Sequence, residues 1–390
     1  MEVKLGYKQT EVGVIPEDWE IKLLPDVCRF RGGKAHEQHI SDLGRFICVT
    51  SKFISTDGIV RKYSSANFCC AKRDDILMVM SDLPNGRALA KAYLADQDGL
   101  YAVNQRVCAL TPYSDCPKYL FYVLNRNPYF LKFDDGVNQT HLLNHVFQKC
   151  ILPIPPTKAE QESIAGVLSE ADALIESLDQ LLAKQCNIMQ GAMQELLTGK
   201  KRLPGFSGEW DVKRLGEVAE IVMGQSPSSK YYNSKGEGLP LIQGNADISD
   251  RKTIKRVFTT DVTKRGRCGD ILMSVRAPVG KISRAVSDIC LGRGVCAIRY
   301  INDFLYHALI AKEPMWAMLS KGSTFDSVNS TDVKTFGIKI PKDKKEQTAI
   351  ADILSDMDTE IALLEAKLAK ARQIKQGMMQ ELLTGRIRLI

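Results

Sequence analysis

Hydrophobic residues recur at alternating steps of four and three along two segments of the chain. In the first segment they fall at Ile164, Leu168, Ala171, Ile175, Leu178 and Leu182, and in the second at Ile350, Leu354, Met357, Ile361, Leu364, Leu368 and Ala371. A spacing of about 3.5 residues, held for about three heptads, indicates a coiled-coil seam rather than a general amphipathic face. We therefore predict two long helices. The first covers residues 157–197 and is about 60 Å long at roughly 1.5 Å per residue.

The two helical segments are copies of one another. Residues 160–203 and 346–389 align without a gap at an offset of 186 and are identical at 24 of 44 positions. Both begin with Glu-Gln after a proline-containing approach, and both end with Gln-Glu-Leu-Leu-Thr-Gly, where Thr-Gly is a common helix terminator. This period is too long for a solenoid repeat and indicates two copies of a domain, each followed by a helix.

The blocks that precede the helices resemble each other only in patches. Equivalent patches are Trp19 and Trp210, the apolar strand candidates 75–78 and 270–273, a second strand pair at 107–110 and 295–298, and helix candidates at 119–124 and 304–310. The offset between the copies is 191, then 195, then 188, before it settles at 186. Length changes therefore fall inside the blocks, where surface loops tolerate them and commonly carry binding residues.

The expected fold is α+β, with two pseudo-repeated α/β domains separated by two long helices. We divide the chain into a first domain at 1–156, a central helix at 157–199, a second domain at 200–342 and a C-terminal helix at 343–390. Two ordinary helices packed on their own domains are the alternative. We favour a coiled coil, because a lone helix of this length cannot shield a narrow seam from water.

The amino-acid composition limits the class of protein but does not identify the function. No stretch of 18 apolar residues predicts a membrane span, and the N-terminus lacks the apolar core of a signal peptide, so we expect a cytoplasmic protein. Eleven cysteines without any Cys-x-x-Cys, and only five histidines, make a metal site unlikely and predict reduced, mostly buried thiols. The net charge of +7 permits nucleic-acid binding without demonstrating it.

The sequence lacks a recognisable catalytic constellation. Gly280-Lys281 is followed by Ile282 and is not a phosphate-binding loop, and Gly292-Arg293-Gly294 is only part of a dinucleotide fingerprint. His141 and His145 lack the acidic neighbour of a metalloprotease helix, and we interpret them as loop and helix-cap residues. We therefore predict no catalytic residue and no metal ligand.

Groups that bind phosphates and base edges are instead abundant in the loops of both blocks. Arginine can bind guanine through two hydrogen bonds, asparagine and glutamine can bind adenine in the same way, and lysine, serine and threonine mainly hold phosphates. A basic strip from Arg251 to Arg267 is a further phosphate-facing candidate. The candidate DNA-binding residues are Arg31, Lys34, Ser51, Lys52, Asn85, Arg87, Gln105, Arg106, Asn138, Gln139, Thr140, Gln225, Gln243, Asn245, Arg276, Lys281, Arg293, Ser323 and Thr324.

The repeated motifs resemble the conserved regions of type I restriction–modification specificity subunits. The resemblance rests on the Glu-Gln-x-x-Ile-Ala-x-x-Leu-Ser-x-x-Asp run, the Gln-Glu-Leu-Leu-Thr-Gly-x-x-Arg-Leu ending, residues 13–19 and the Gly-Asp-Ile-Leu-Met-Ser run at 269–274. It covers essentially the whole chain, in the family's order of recognition domain, helix, recognition domain and helix.

This resemblance implies a non-catalytic subunit that binds double-stranded DNA. Each target recognition domain would recognise one half of a split site, and the helices would form an antiparallel coiled coil that sets the spacing. Two methyltransferase subunits carrying S-adenosylmethionine would dock on the helices, and two nuclease subunits using ATP and Mg²⁺ would join where the system has them. The expected partner-binding positions are Ile164, Leu168, Ile175, Leu178, Leu182, Leu196, Ile350, Leu354, Ile361, Leu364, Leu368 and Leu382.

Two other functions stay open at this stage. A protein–protein scaffold built on the coiled coil would bind no DNA, and a stand-alone enzyme would modify or cut DNA without a partner. The seam also weakens at Gln185 and Lys375, so we expect the coiled coil to break before the Thr-Gly ends.

Overall fold

The computed structural model describes residues 5–83, 88–320 and 327–389 and divides the chain into two compact units. Unit 1 comprises Met1–Ser177 with Leu368–Ile390, and unit 2 comprises Leu178–Lys367. The units do not follow the four predicted segments, because each unit takes part of both long helices.

Unit 1 contains short strands, short helices and the first part of a long helix. Its strands are β1 (Tyr7–Thr10), β2 (Gly13–Pro16), β3 (Glu20–Leu23), β4 (Cys28–Gly32), β5 (Phe46–Val49), β6 (Tyr63–Ser64), β7 (Ile76–Val79), β8 (Ser81–Asp82), β9 (Ala92–Leu94), β10 (Tyr101–Val103), β11 (Val107–Pro112), β12 (Thr140–His141) and β13 (Ile151–Ile154). Its short helices are α1 (Leu24–Val27), α2 (Ser51–Ser55), α3 (Pro117–Leu124), α4 (Pro128–Leu131) and α5 (Asn144–Gln148), and the first long helix is α6 (Lys158–Leu196).

Unit 2 contains counterparts of most of these elements, although none of its described strands corresponds to β1 and β2. Its strands are β14 (Trp210–Arg214), β15 (Glu220–Met223), β16 (Tyr232–Asn233), β17 (Leu239–Ile242), β18 (Ile248–Ser249), β19 (Lys252–Thr253), β20 (Phe258–Thr259), β21 (Arg265–Gly266), β22 (Ile271–Ser274), β23 (Ile282–Arg284), β24 (Ile289–Leu291), β25 (Val295–Arg299) and β26 (Gly337–Pro341). Its helices are α7 (Leu215–Val218), α8 (Phe304–Ala311), α9 (Glu313–Ser320) and α10 (Ser330–Thr335), followed by the second long helix α11 (Lys344–Leu382).

The two units share a sheet topology. An antiparallel sheet runs β4-β11-β7-β9 in unit 1, and β15-β25-β22-β23 forms its counterpart in unit 2. A smaller sheet contains the parallel pair β5 and β10 in unit 1 and the parallel pair β17 and β24 in unit 2. The predicted α+β fold with two pseudo-repeated domains and two long helices is confirmed.

The central strands are apolar on both faces because each face packs on a different layer. In β7, Ile76 and Met78 join a core with the helices, while Leu77 and Val79 join a core with the smaller sheet. The matching strand β22 divides its residues in the same way. A strand covered on both sides shows a continuous hydrophobic run in place of alternation, which explains the paired apolar motifs.

Each unit is covered by the beginning of one long helix and the end of the other. In unit 1, Ile164 and Leu168 of α6 pack in the same core as Leu382 of α11. In unit 2, Leu196 of α6 packs in the same core as Ile350 and Leu354 of α11, together with Leu197. Within each unit, the residues at the start of one helix therefore meet those at the end of the other.

In each unit, a buried ion pair joins the start of one long helix to the segment that follows the end of the other. Arg388 donates to both carboxylate oxygens of Glu160 and also to Asp18 at 2.9 and 3.0 Å. At the equivalent place in unit 2, Arg202 donates to both oxygens of Glu346 at 2.6 and 2.8 Å. The repeated Glu at the start of one helix therefore binds the repeated Arg that follows the end of the other.

The glutamine beside each glutamate is buried as well. Gln161 donates to the Pro155 carbonyl and accepts from the Cys116 amide at 2.7 Å. Gln347 donates to the Pro341 carbonyl at 2.7 Å. Both side chains thus satisfy backbone groups where the domain meets its helix, which explains why the chain repeats Glu-Gln.

Neither helix is interrupted at Gln185 or Lys375, and the expected break of the coiled coil stays a prediction. Both helices continue to Leu196 and Leu382, and Gly199 and Gly385 follow with φ of +68°. In unit 1 the Lys375 ammonium forms an ion pair with Asp172 of α6 and lies 5.6 Å from the Tyr122 ring. The polar residue in the seam has a partner there, so it does not end the helix.

Candidate nucleic-acid interface

The ends of four strands meet at one edge of the first domain. The backbone amide of Met80 donates to the Arg106 carbonyl at 2.9 Å, which places the turn before β11 beside the end of β7. Lys34 donates through its backbone to Val103 at 3.0 Å, and Asn104 to Val49 at 3.2 Å. These hydrogen bonds gather the residues after β4, β5, β7 and β10 into one surface, which we call the first rim.

A cavity of about 410 Å³, open to solvent, lies at the first rim. Its wall is formed by Ser81, Gln105, Arg106, Gln139 and His141. The Gln139 amide donates to Ser81 Oγ at 3.0 Å. Arg106 is exposed and forms no ion pair with a carboxylate in the described ranges. The cavity therefore presents the Arg106 guanidinium and several other hydrogen-bonding groups to solvent.

Glu37 fixes one side of this rim. Its carboxylate accepts from Asn104 Nδ2 at 3.1 Å and from Gln105 Nε2 at 3.0 Å. The hydrogen bond from Asn104 holds the pKa of Glu37 below its usual range. The anionic acceptor orients the Gln105 amide, whose carbonyl oxygen remains open for a ligand donor.

The second domain forms its rim with the same backbone hydrogen bonds. Val275 donates to the Gly294 carbonyl at 2.9 Å, Gln225 to Leu291 at 2.9 Å, and Gly292 to Ile242 at 2.8 Å. The surface formed by the residues after β15, β17, β22 and β24 is the second rim. Its exposed side chains are those of Gln225, Gln243, Arg276 and Arg293.

The matching hydrogen bonds define which residues of the two rims are equivalent. Lys34 corresponds to Gln225, Ser81 to Arg276, Gln105 to Arg293, Arg106 to Gly294, and His141 to Ser327. None of these five pairs keeps its residue type. The two domains therefore display different chemistry from one backbone frame.

Glycine makes the closest backbone approach in each rim possible. A Cβ atom on Gly33 would lie 2.0 Å from the Asn104 carbonyl oxygen, and one on the equivalent Gly224 would lie 2.0 Å from the Gly292 carbonyl oxygen. Any larger residue would separate these strand ends, so both rims depend on a glycine contact.

Several predicted site residues lie elsewhere or already have partners. Arg31 lies within β4, not in a loop, and forms an ion pair with the buried Asp75, which also accepts from Thr111 Oγ1 at 2.6 Å. Lys281 pairs with Glu313 at 3.2 Å. These cations stabilise the fold because burying a carboxylate requires a compensating charge.

Three of the seven cations in the predicted basic strip form ion pairs. Arg251, Arg256 and Arg265 form ion pairs with Glu313, Asp247 and Asp288 respectively. The strip therefore carries less free positive charge than its sequence suggests, although Lys252, Lys255, Lys264 and Arg267 form no ion pair among the described residues.

Of the remaining candidates, some lie in helices, strands or turns, Asn138 has a hydrogen-bond partner, and the others lie outside the described residues. Ser51 and Lys52 open α2, Thr140 lies in β12, and Asn245 opens a short 3-10 turn. The Asn138 amide donates to Asp135 at 3.1 Å. Asn85, Arg87, Ser323 and Thr324 lie outside the described residues.

Sequence reasoning missed Ser81 and treated His141 as a loop or cap residue. The signal that finds Ser81 is the repeat itself, because the offset of 195 between β7 and β22 places it at the position of Arg276. The offset of 186 places His141 at Ser327 in the same way. Applying the local offset between the two copies to each candidate residue would have identified Ser81 and His141 as members of the first rim.

The predicted partner-binding positions are not all accessible. Ile164, Leu168, Leu196, Ile350, Leu354, Leu368 and Leu382 are buried, and all but Leu368 belong to the domain cores. Ile175, Leu178, Leu182, Ile361 and Leu364 are half-buried. The buried positions make contacts within this chain, and the role of these residues in partner binding stays a prediction.

The described part of the chain contains no group of three or more His, Cys, Asp or Glu side chains that could hold a metal ion. Among the described helices, none combines the length and apolar character that crossing a membrane requires.

Two equivalent domains that present different polar rims on a repeated helical frame define a binding protein with two non-identical recognition modules. The model of the type I restriction modification DNA specificity domain matches the chain twice, at residues 16–184 and 207–373. The chain therefore belongs to the type I restriction–modification DNA specificity family, and its role is that of a DNA specificity subunit.

Relatives and solved structures agree with this assignment. The putative type I restriction enzyme MjaX specificity subunit of Methanocaldococcus jannaschii is 28% identical over 416 residues, covering 98% of this chain and 97% of that protein. The MjaVIII specificity subunit of the same organism is 24% identical, covering 96% and 94%. The crystal structure of the type I restriction–modification S subunit from M. genitalium shares the fold, with a TM-score of 0.69 at 14% identity and 98% of each chain covered.

Proposed function

We propose that each rim recognises one half of a bipartite DNA site. The observation that carries this proposal is the equivalence of the rims, which keep their backbone hydrogen bonds while every compared side chain differs. Two modules that recognise different DNA sequences can share one backbone frame for docking and differ in the side chains that contact the base edges. The exposed amides and guanidinium groups of both rims are suited to such contacts.

The long helices set the distance between the half-sites in this proposal. A helix of 39 residues is about 58 Å long. Half-sites on one face of a duplex are separated by about one helical turn, roughly 34 Å, or a multiple of it. A frame of this length is adequate for two small domains on that scale.

Two methyltransferase subunits dock on the helical frame, and nuclease subunits join the complex where the system contains them. Exposed apolar side chains on the outer faces of the helices support docking there. They are Leu174, Leu181 and Ile188 on α6 and Ile353, Leu363 and Ile374 on α11. In this arrangement the present chain supplies specificity, while S-adenosylmethionine and the methyl transfer belong to the partner subunits.

Arg106→Ala tests whether the first rim contacts DNA. In a complex with the methyltransferase subunits, this variant should methylate DNA more slowly and bind it more weakly in gel-shift titrations. Lys118→Ala is the matched control, because this exposed lysine follows the opposite end of β11. Equal binding and methylation by the two variants would remove Arg106 from the interface. Binding of no DNA by the unsubstituted complex would favour a protein–protein scaffold.

A further inference from the structure

We propose that Arg276 and Arg293 determine the specificity of the second rim, each by recognising the guanine of a G·C pair in the major groove. This inference rests on the proposed function and adds the identity of two bases. It follows from the placement of the two side chains, the lack of a carboxylate partner for either guanidinium group among the described residues, and the rigidity of the backbone that carries them.

The two arginines face each other across the rim. Ser274 pairs with Val295 in the antiparallel register of β22 and β25, and the Val275 amide donates to the Gly294 carbonyl one step further. Arg276 and Arg293 are therefore the next opposite positions. Like charges directly opposite each other in an antiparallel pair are destabilising, so this arrangement indicates a ligand that supplies hydrogen-bond acceptors.

Neither guanidinium group has a carboxylate partner within the described ranges, although both side chains are exposed. This separates them from most other arginines of the second domain, which form ion pairs. The paired residues are Arg202, Arg251, Arg256, Arg265, Arg284 and Arg299. The two rim arginines thus retain their hydrogen-bonding capacity for another molecule.

The backbone beneath each arginine is fixed. Arg293 donates through its amide to Ser226 Oγ at 3.1 Å, and the adjacent Gly294 packs against the Gln243 carbonyl. Arg276 pairs with Ser327 in an isolated β-bridge. A side chain on a fixed backbone loses less freedom on binding, which favours a directional base contact over a diffuse phosphate contact.

The chemistry of arginine identifies the base. Its planar fork of donors matches the O6 and N7 acceptors of guanine through two parallel hydrogen bonds, and no other base presents two acceptors side by side in the major groove. Lysine carries the same charge without this fork. Ser81 and Gln105 occupy the equivalent places in the first rim, so the two half-sites differ in sequence at these positions.

The test is a selection experiment with the assembled complex of this chain and its methyltransferase subunits. Duplexes randomised across both half-sites are bound, recovered and sequenced for the unsubstituted complex, R276K and R293K. R214K is the matched control, because Arg214 is also exposed and without an ion pair among the described residues but ends β14, outside the second rim and the basic strip.

Each test variant should reduce the preference for one G·C pair in the second half-site by roughly 5- to 150-fold, the discrimination expected of one bidentate contact. The first half-site should keep its preference, and R214K should leave both preferences unchanged. A second half-site without a G·C pair in the unsubstituted complex would overturn the inference. So would weaker binding to all sequences with the preference retained, which indicates a phosphate contact. A lack of any sequence preference in the unsubstituted complex would refute the proposed function as well.

Discussion

The ion pair between Arg388 and Glu160 allows a quantitative prediction about the repeated motifs. Glu160 is 3% exposed, and Arg388 is its charge partner at both carboxylate oxygens. Removing one partner of a buried pair generally destabilises a protein by about 3–5 kcal/mol, because the other charge remains buried and uncompensated. Since the Arg388 side chain is 23% exposed and water can reach the gap, we expect Arg388→Ala to lower the free energy of unfolding of unit 1 by about 3 kcal/mol.

A matched control lies two residues away. Arg386 pairs with Glu381 at 3.4 Å, and the two side chains are 61% and 39% exposed. Such surface pairs contribute about 0–1 kcal/mol, so Arg386→Ala should change the stability of unit 1 by less than about 1 kcal/mol.

Hydrogen exchange of residues 158–177 measured by mass spectrometry in increasing urea reports on unit 1 separately, which matters because a two-unit chain need not unfold in one step. Adding Glu160→Gln to Arg388→Ala should recover part of the loss, because the neutral amide removes the uncompensated charge. Equal stability of the Arg388→Ala and Arg386→Ala variants would refute the reasoning.

Three further predictions concern other parts of the chain. Burial lowers the pKa of His307 from 6.5 to about 4, so the unfolded state binds more protons between these two pH values. The free energy of unfolding should therefore fall as the pH drops through that range. His307→Gln should remove this loss in urea titrations at pH 7 and 4.5, and an unaltered pH dependence would contradict the prediction. Gly33→Ala should weaken DNA binding and destabilise the first rim, since its Cβ would lie 2.0 Å from the Asn104 carbonyl oxygen, and wild-type binding and thermal stability would contradict that geometry. Gly191→Ala and Gly377→Ala should each stabilise the chain by about 0.5–1 kcal/mol, because both glycines lie inside helices with open space around them, and a loss of stability in thermal unfolding would show an unrecognised packing requirement.

The features that could be predicted from the sequence are those governed by local periodicity and repetition. The first long helix was predicted at 157–197 and observed at Lys158–Leu196, and the candidates at 75–78 and 107–110 overlap β7 and β11. Hydrophobic spacing specifies these elements, because a buried strand or a seam requires its pattern regardless of the rest of the chain.

Pairings between distant residues could not be predicted in this way. Arg31 and Arg106 both stand beside polar loop residues in the sequence, yet Arg31 is paired with Asp75 while Arg106 lines the cavity. Arg202 and Glu346 are 144 positions apart. Whether a cation is free depends on which carboxylate the fold places beside it, and no local pattern contains that information.

The central claim is that each rim specifies one half of the DNA site. The most direct measurement replaces residues 1–156 with the corresponding domain of a relative that has another target, assembles the chimaera with the methyltransferase subunits, and maps methylated adenines across a genome. We predict that one half of the methylated motif changes while the other half and the spacer length persist. A motif that is unchanged after the exchange would contradict the account.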